Sequence, residues 1–418
     1  MQAGVAISPS LPDAAADRFG AFVAYERRPA KGGGALRDLT YALKDCVAVA
    51  GRAPTCGLTQ PPGALPEQDA TIVALLDEAG AIRIGFTEMT PLAYEPSGGN
   101  PHRRRPINPW NASKICGGSS TGSAVAVAAG LVDFALGSDT GGSLRIPAHC
   151  CGVSAWKPTF GLLPVDGIMP LAPSLDTIGF LARSAPVLAR VQDTLTNNRA
   201  GARVGRVAIA EDCIAYSGAA RAVAAIKADL DALGLATTAT ALQPLLQACD
   251  SPVLTLMQAE AAASHRALIG SGVLDSTLTK RLSHGLAFSE NDCAAARAAL
   301  AAIAEDDNAF ASADAILLPV LSGPTPSVDS CEPGHDSFSG RTLYALSALT
   351  RFVNGLGLPA VAIPTGFDDD GMPVAVQLVG RRGSDRALLD LAAAVQARQP
   401  ANMFVPPALA DTRSGASA

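Results

Sequence analysis

Apolar positions along this chain change their period several times, and each change predicts an element. Leu39–Cys46 reads as a strand. Asp69 stands where it can cap a helix carrying Ile72, Val73, Leu75, Leu76 and Ala79, with Gly80 at its end. Ala81–Phe86 returns to strand character. Thr121–Ala129 consists almost wholly of small residues, which predicts a tightly packed, buried helix whose N-terminus lies beside Ser119. This strand–helix–strand rhythm argues for an α/β sheet. Residues 185–313 are alanine-rich and helical in period with little strand signal, so they read as a helical insertion over one side of the sheet. Strands return at Ala315–Val320, Ala360–Pro364 and Pro373–Val379, and Ser384 caps a last helix with Leu388, Leu391 and Val395 on one face. Residues 1–36 read as a short helix and a linker ending K-G-G-G-A. The Pro-rich tail after Gln399 reads as loosely held, and no internal repeat is evident.

Composition narrows the function classes. The 418 residues are 48% hydrophobic and 17% charged, which supplies ample core. A net charge of −6 carries no general footprint for nucleic acid. The one basic run, His102-Arg103-Arg104-Arg105, reads as a solvated loop. A basic segment followed by an apolar one is missing from the N-terminus, so no signal peptide is expected. The small-apolar stretch Ala124–Leu136 is broken by Gly130 and Asp133 and is too short to span a bilayer. The nine cysteines are dispersed, with no C-x-x-C pair, which suits buried thiols in a reducing cytoplasm. The five histidines show no metal-ligand spacing.

Chemistry concentrates between Cys116 and Pro147, which reads C-G-G-S-S-T-G-S, a small-apolar run, then G-S-D-T-G-G-S-L-R-I-P. Ser119 and Ser143 are flanked by glycines and lie 24 residues apart. Glycine lets a backbone approach a ligand closely, and a serine in such a turn can face a substrate with N–H groups beside it. A serine hydroxyl needs a base. No G-x-S-x-G elbow is present; a histidine from elsewhere in the fold, His149 or His102, is one alternative. The other is Lys44, whose neighbours Tyr41-Ala42-Leu43 and Cys46-Val47-Ala48-Val49 are apolar and predict burial, which lowers a lysine's pKa. Taken singly, a lysine such as Lys44 is more often a strand-end surface residue, and a serine such as Ser119 more often a helix N-cap. G-S-D-T-G-G-S also resembles a phosphate loop, but Ser143 stands where that loop has lysine.

Taken together, these segments resemble the amidase signature family. Y-A-L-K-D-C-V-A-V-A-G-R-A-P-T-C-G at residues 41–57 is similar to the family's catalytic-lysine segment. W-K-P-T-F-G at 156–161, S-L-D-T-I-G at 174–179, G-L-G-L-P-A-V-A-I-P-T-G-F and P-V-A-V-Q-L-V-G follow in family order. Residues 36–184 and 314–397 carry the resemblance, and roughly 185–313 carries little of it. The resemblance implies an α/β/α sandwich with a large mixed central sheet. It implies a single domain over residues 1–400 with a variable helical insertion at 185–313, and a flexible tail at 401–418. It also implies a triad of Lys44, Ser119 and Ser143, with a cis peptide at Gly118–Ser119. Ser143 attacks the carbonyl, and Ser119 relays its proton to Lys44. Thr140, Gly141, Gly142 and Ser143 supply oxyanion N–H groups, while Gly118, Ser120, Asp139 and Arg145 brace the loops. Lys157 and Asp176 are read as structural.

The function expected from this resemblance is cleavage of an amide C–N bond through an acyl-enzyme, without metal or organic cofactor. Carbamates (urethanes) are a close variant, and esterase activity is expected on the side. The alternatives are the glutamine amidase component of a tRNA-dependent amidotransferase and a urea-type hydrolase acting on biuret or allophanate. The partner is a small-molecule amide or carbamate, with neither nucleic acid nor membrane, in a cytoplasmic monomer or homodimer. Thr121 departs from the family's usual Gly or Ser, His149-Cys150-Cys151 is unusual, and Thr87–Leu92 differs from the common T-N-x-x-E-F. The substrate pocket is expected to use Glu88, Met89 and Tyr94, within a wall of residues 87–95 and the Ala- and Leu-rich insertion. No arginine clamp is evident in the triad segments, so a neutral, apolar acyl group is expected.

Overall fold

The computed structural model describes residues 17–30, 33–196, 203–306, 310–400 and 403–409. Its strands are β1 (Phe22–Arg28), β2 (Thr40–Lys44), β3 (Ile82–Thr87), β4 (Phe134–Asp139), β5 (Ser154–Lys157), β6 (Thr177–Ala182), β7 (Arg206–Ala210), β8 (Ala236–Thr240), β9 (Ala315–Pro319), β10 (Ala360–Phe367) and β11 (Pro373–Gly380). They form one 11-stranded sheet in the order β1-β3-β2-β4-β6-β5-β10-β11-β9-β7-β8. The sheet is mixed: β2 runs parallel to β3 and β4, and β7 to β8 and β9, while the other pairs are antiparallel.

Helices α1 (Thr71–Glu78), α2 (Thr121–Ala128), α3 (Arg145–Cys151), α4 (Ala185–Thr196), α5 (Ser217–Ala232), α6 (Gln243–Ser264), α7 (Ser276–Gly285), α8 (Glu290–Glu305), α9 (Gly340–Ala345), α10 (Arg351–Gly355) and α11 (Asp385–Gln396) cover the sheet. Residues alternate between faces along a strand, and here the two faces differ in size. Tyr41, Leu43, Phe134, Leu136, Val361, Ile363, Val374 and Val376 pack with α1, α4, α5 and α11. Ala42, Ala135, Ala362 and Ala375, which alternate with them, face α2 and α3. An alanine-lined face lets small-residue helices come close. All eight residues of α2 are buried. A Cβ on Gly122 would stand 2.3 Å from the Ala21 carbonyl oxygen and 2.5 Å from the Glu88 nitrogen, so only glycine fits there. This close packing fixes the N-terminus of α2 against the sheet.

Several expectations need correction. The 185–313 region is not purely helical, because β7 and β8 extend the sheet at one edge. β8 (A-T-T-A-T) is largely exposed and lacks apolar alternation, so its sequence carries no strand period. β1 lies at the opposite edge, where residues 1–36 read as helix and linker; its outward Glu and Arg positions mask the pattern. Residues 1–16 and 31–32 lie outside the described residues. Asp69 does not cap α1. Its Oδ1 accepts the Ala50 N–H at 2.9 Å, and Ala70 occupies the cap position. Ser384 precedes α11 but donates its hydroxyl to the Arg381 carbonyl at 2.7 Å. In the basic run, Arg103 turns inward to Glu88 at 3.1 Å and His102 to Asp275 at 3.4 Å. Part of the tail also packs: Phe404 lies 5.3 Å from the Phe367 ring, and Ala408 and Leu409 rest on the α2–α3 core.

Candidate active site

The parallel pairing of β2 with β4 places their C-terminal ends side by side, a common location for sites in α/β sheets. Lys44 ends β2 and is fully buried. Its Nζ lies 2.6 Å from Ser119 Oγ and 2.8 Å from Ser138 Oγ, near the end of β4. Burial lowers the Lys44 pKa to about 8, against the opposing pull of Cys46, Asp139 and Asp176. The same burial pushes the Cys46 thiol up to about 11.

Ser119 and Ser120 lead into α2, and the Gly118–Ser119 peptide is cis. The two serine turns are tied together around Ser120. Its N–H donates to the Ser143 carbonyl at 3.2 Å. Its hydroxyl donates to the Ser138 carbonyl at 3.1 Å and accepts the Ser138 N–H at 3.3 Å. Thus Ser119 is clamped to Lys44 through its side chain, while its neighbour holds the turn that carries Ser143.

That second turn is built on Asp139. Its carboxylate accepts the N–H groups of Gly142 at 2.7 Å and Leu144 at 3.1 Å, and Arg145 at 2.9 and 3.1 Å. Burial works to raise the Asp139 pKa, but Arg145 outweighs it and holds the acid at about 2. Arg145 is fully buried and reaches Asn354, Gln377 and the Thr350 carbonyl, so it faces the C-terminal strands. Gly142 has φ +133, and a Cβ there would meet Thr350 Oγ1 at 2.3 Å. Because the Gly142 N–H is held by Asp139, it points away from a substrate position. Of the expected oxyanion donors, the N–H groups of Thr140, Gly141 and Ser143 have no acceptor among the described residues, whereas that of Gly142 is taken. Thr140 donates its hydroxyl to Asp176 at 2.6 Å, and Asp176 also anchors the N–H groups of Leu171 and Ala172. Lys157 is buried against the carbonyls of Pro158 and Leu358 at 2.9 and 2.8 Å, and burial lowers its pKa to about 7.

Ser143 is half-buried and faces a cavity of about 60 Å³ shared with Ala93, Tyr94, Glu95, Gly141, Leu171, Met257 and Ser347. Of the three residues expected at the substrate pocket, Tyr94 lines this cavity. Glu88 and Met89 do not: Glu88 is buried against Arg103, and Met89 is a core residue whose carbonyl accepts Asn100. The chain reaches the cavity later, at residues 93–96, after the short helical turn Pro91–Ala93. The insertion contributes Met257 from α6. His149 is not near Lys44 by any contact; its Nδ1 accepts the Ala375 N–H at 3.1 Å, and burial lowers its pKa to about 4. Sequence reasoning missed Ser138, Ser347, Asn354 and Gln377. Only Gln377 left a signal, as the one polar residue in the buried run P-V-A-V-Q-L-V-G.

No helix among the described residues is long and apolar enough to cross a membrane. All nine cysteines are free. Comparison with known proteins places this geometry in context. The amidase family model matches residues 10–389. "Amidase 1" of Arabidopsis thaliana is 30% identical over 400 residues, covering 85% of this chain and 92% of that protein. A glutamyl-tRNA(Gln) amidotransferase subunit from Lysinibacillus sphaericus is 30% identical over 396 residues, covering 83% of this chain and 80% of its own length. A crystal structure of an amidase superposes with a TM-score of 0.79 at 32% identity, covering 88% of this chain and 86% of the other.

Proposed function

This chain belongs to the amidase signature family and is a C–N hydrolase of amides, and we propose that it works through an acyl-enzyme on Ser143. Neutral Lys44 accepts the Ser119 proton as Ser119 takes the proton of Ser143. The Ser143 oxygen then bonds to the substrate carbonyl carbon. The carbonyl electron pair moves onto oxygen, where the N–H groups of Gly141 and Ser143 receive it. One such donor contributes about 3–4 kcal/mol to the transition state. Collapse of the tetrahedral intermediate breaks the C–N bond, and Ser119 returns a proton to the departing nitrogen, drawing one from Lys44. Water then repeats the sequence on the ester, releasing the acid and restoring Ser143.

The observation that carries this reading is the 2.6 Å contact between a fully buried Lys44 and Ser119. A buried amine with hydroxyl acceptors and no carboxylate partner is a base rather than half of an ion pair. Carbamates and activated esters present the same carbonyl and are included in the proposed range. A fluorophosphonate probe tests the assignment: mass spectrometry should find the adduct on Ser143, and Ser143→Ala should lose about 10³–10⁶-fold in kcat. An adduct on Ser119 or Ser120 with Ser143 untouched would overturn it. The likeness to one component of an amidotransferase supports a second reading, a glutamine amidase working within a complex. Turnover of simple amides by the isolated chain favours the stand-alone enzyme, and stoichiometric co-purification with a second protein favours the complex.

A further inference from the structure

The cavity at Ser143, about 60 Å³, has room for little more than the scissile group. The rest of a substrate must lie elsewhere. A second cavity of about 230 Å³ shares Glu95 with the first and is bounded by Pro91, Ser97, Asn100, Asp275, Leu278 and Arg281. Its far wall is α7, from the insertion whose sequence promised an apolar surface.

Arg281 is the unexplained group in that wall. It is half-buried and lines the cavity, and its guanidinium forms no hydrogen bond or ion pair with any described residue. A guanidinium carries five donors and no acceptor. The acids around it are differently placed. Glu95 is filled by the N–H groups of Ser97, Gly98 and Gly99 and by the Ser97 hydroxyl, at 2.8 to 3.1 Å. Asp275 caps α7 through Thr277 and Leu278 and turns its other oxygen to His102. Glu332 is solvent-exposed. The acidic lone pairs are largely occupied, whereas the basic donors are not. Arg281 is also close enough to oppose the burial-driven rise in the pKa of Tyr94 and Glu95, both of which line the Ser143 cavity.

We propose that Arg281 is a specificity-determining residue that binds an oxygen acceptor, carboxylate or carbonyl, on the arm of the substrate that extends from the Ser143 cavity into the α7 cavity. This rests on the acyl-enzyme reading above and names its substrate class: amides or carbamates with an acceptor-bearing arm rather than a purely apolar one. The recognition is one of binding, so it acts on KM more than on kcat.

The test is a matched series of anilides whose arms end in methyl, primary amide, carboxylate or ammonium. Wild-type enzyme should favour the amide or carboxylate arm over methyl by about 10–100-fold in kcat/KM, the range of one hydrogen bond to a charged group. The amide and carboxylate arms separate a neutral from an anionic acceptor. Arg281→Met should abolish the preference through KM, Arg281→Lys should restore part of it, and Arg281→Glu should turn it toward ammonium. Thermal melting and fluorophosphonate labelling of Ser143 establish that each variant is folded with its nucleophile intact. Equal kcat/KM across the wild-type series, a wild-type preference for ammonium, or an acceptor preference that survives in Arg281→Met overturns the proposal. Failure of wild-type enzyme to label at Ser143 refutes the acyl-enzyme reading instead, so the two failures are distinct.

Discussion

The segment from Cys116 to Cys151, which lines the Ser143 cavity, and the helices α6–α8, of which α6 lends Met257 to that cavity and α7 lines the cavity beside it, are built in opposite ways. In the first, every residue of α2 and α3 is buried, and Ser120, Asp139 and Arg145 close a network of hydrogen bonds around the two serine turns. In the second, α8 buries only Ala296 and Leu300 of its 16 residues, and α7 only Leu278, Leu282 and Gly285 of its 10. The serine wall leaves its groups almost no freedom. The helical wall offers single side chains, Met257 and Arg281, from a surface otherwise free to vary. Reaction chemistry needs positioning to a fraction of an ångström, whereas substrate preference can be changed one side chain at a time.

Substitutions in the two walls should therefore differ in kind. The largest effect is expected from Lys44→Met, which removes the base from a buried site at nearly constant volume. kcat should fall about 10³-fold or more while thermal melting shows a folded protein; near-normal turnover would break the contrast. Asp139→Asn should act on stability, since it leaves Arg145 buried without its counter-charge. The cost is about 3–5 kcal/mol, read by urea denaturation. The Asp139 acid is held at about 2 rather than its ordinary 3.8, so the wild-type contribution is present above pH 4 and is lost as pH falls toward 2. Ser138→Ala should cost about 10-fold in kcat/KM and shift the ascending, acid-side limb to lower pH, because the charged amine loses an acceptor at 2.8 Å. Met257→Ala should change KM by about 3- to 10-fold among acyl groups and leave kcat nearly constant. A comparable kcat loss from Met257→Ala and Lys44→Met would erase the distinction between the walls.

The same contrast governs how much could be seen beforehand. The motifs that carry the lysine, the first serine and the second serine are each short local runs, and glycine-rich turns are needed wherever backbone approaches a reacting group, so Lys44, Ser119 and Ser143 stood out. The interior strands β2, β3, β9, β10 and β11 announced themselves by apolar runs, whereas β4, β5, β6 and β7, equally interior but short, did not. The edge strands β1 and β8 did not, since their exposed faces are polar or threonine-rich. Ser138 reaches Lys44 only through the sheet order, and Asn354 and Gln377 reach Arg145 across more than 200 residues, which no local pattern encodes. Glu88 and Met89 were misplaced by a few residues because the chain turns at Pro91–Ala93 before it reaches the cavity. Arg281 was invisible for another reason: on an amphipathic helix, an arginine facing a cleft and one facing solvent have the same sequence signature.

The pH dependence of kcat/KM for a neutral anilide tests the central claim most directly. A buried Lys44 that must be neutral, with its pKa lowered to about 8, predicts activity that falls about tenfold per pH unit below that value and levels off above it. A profile flat from pH 6 to 9 would contradict a neutral Lys44 as the base.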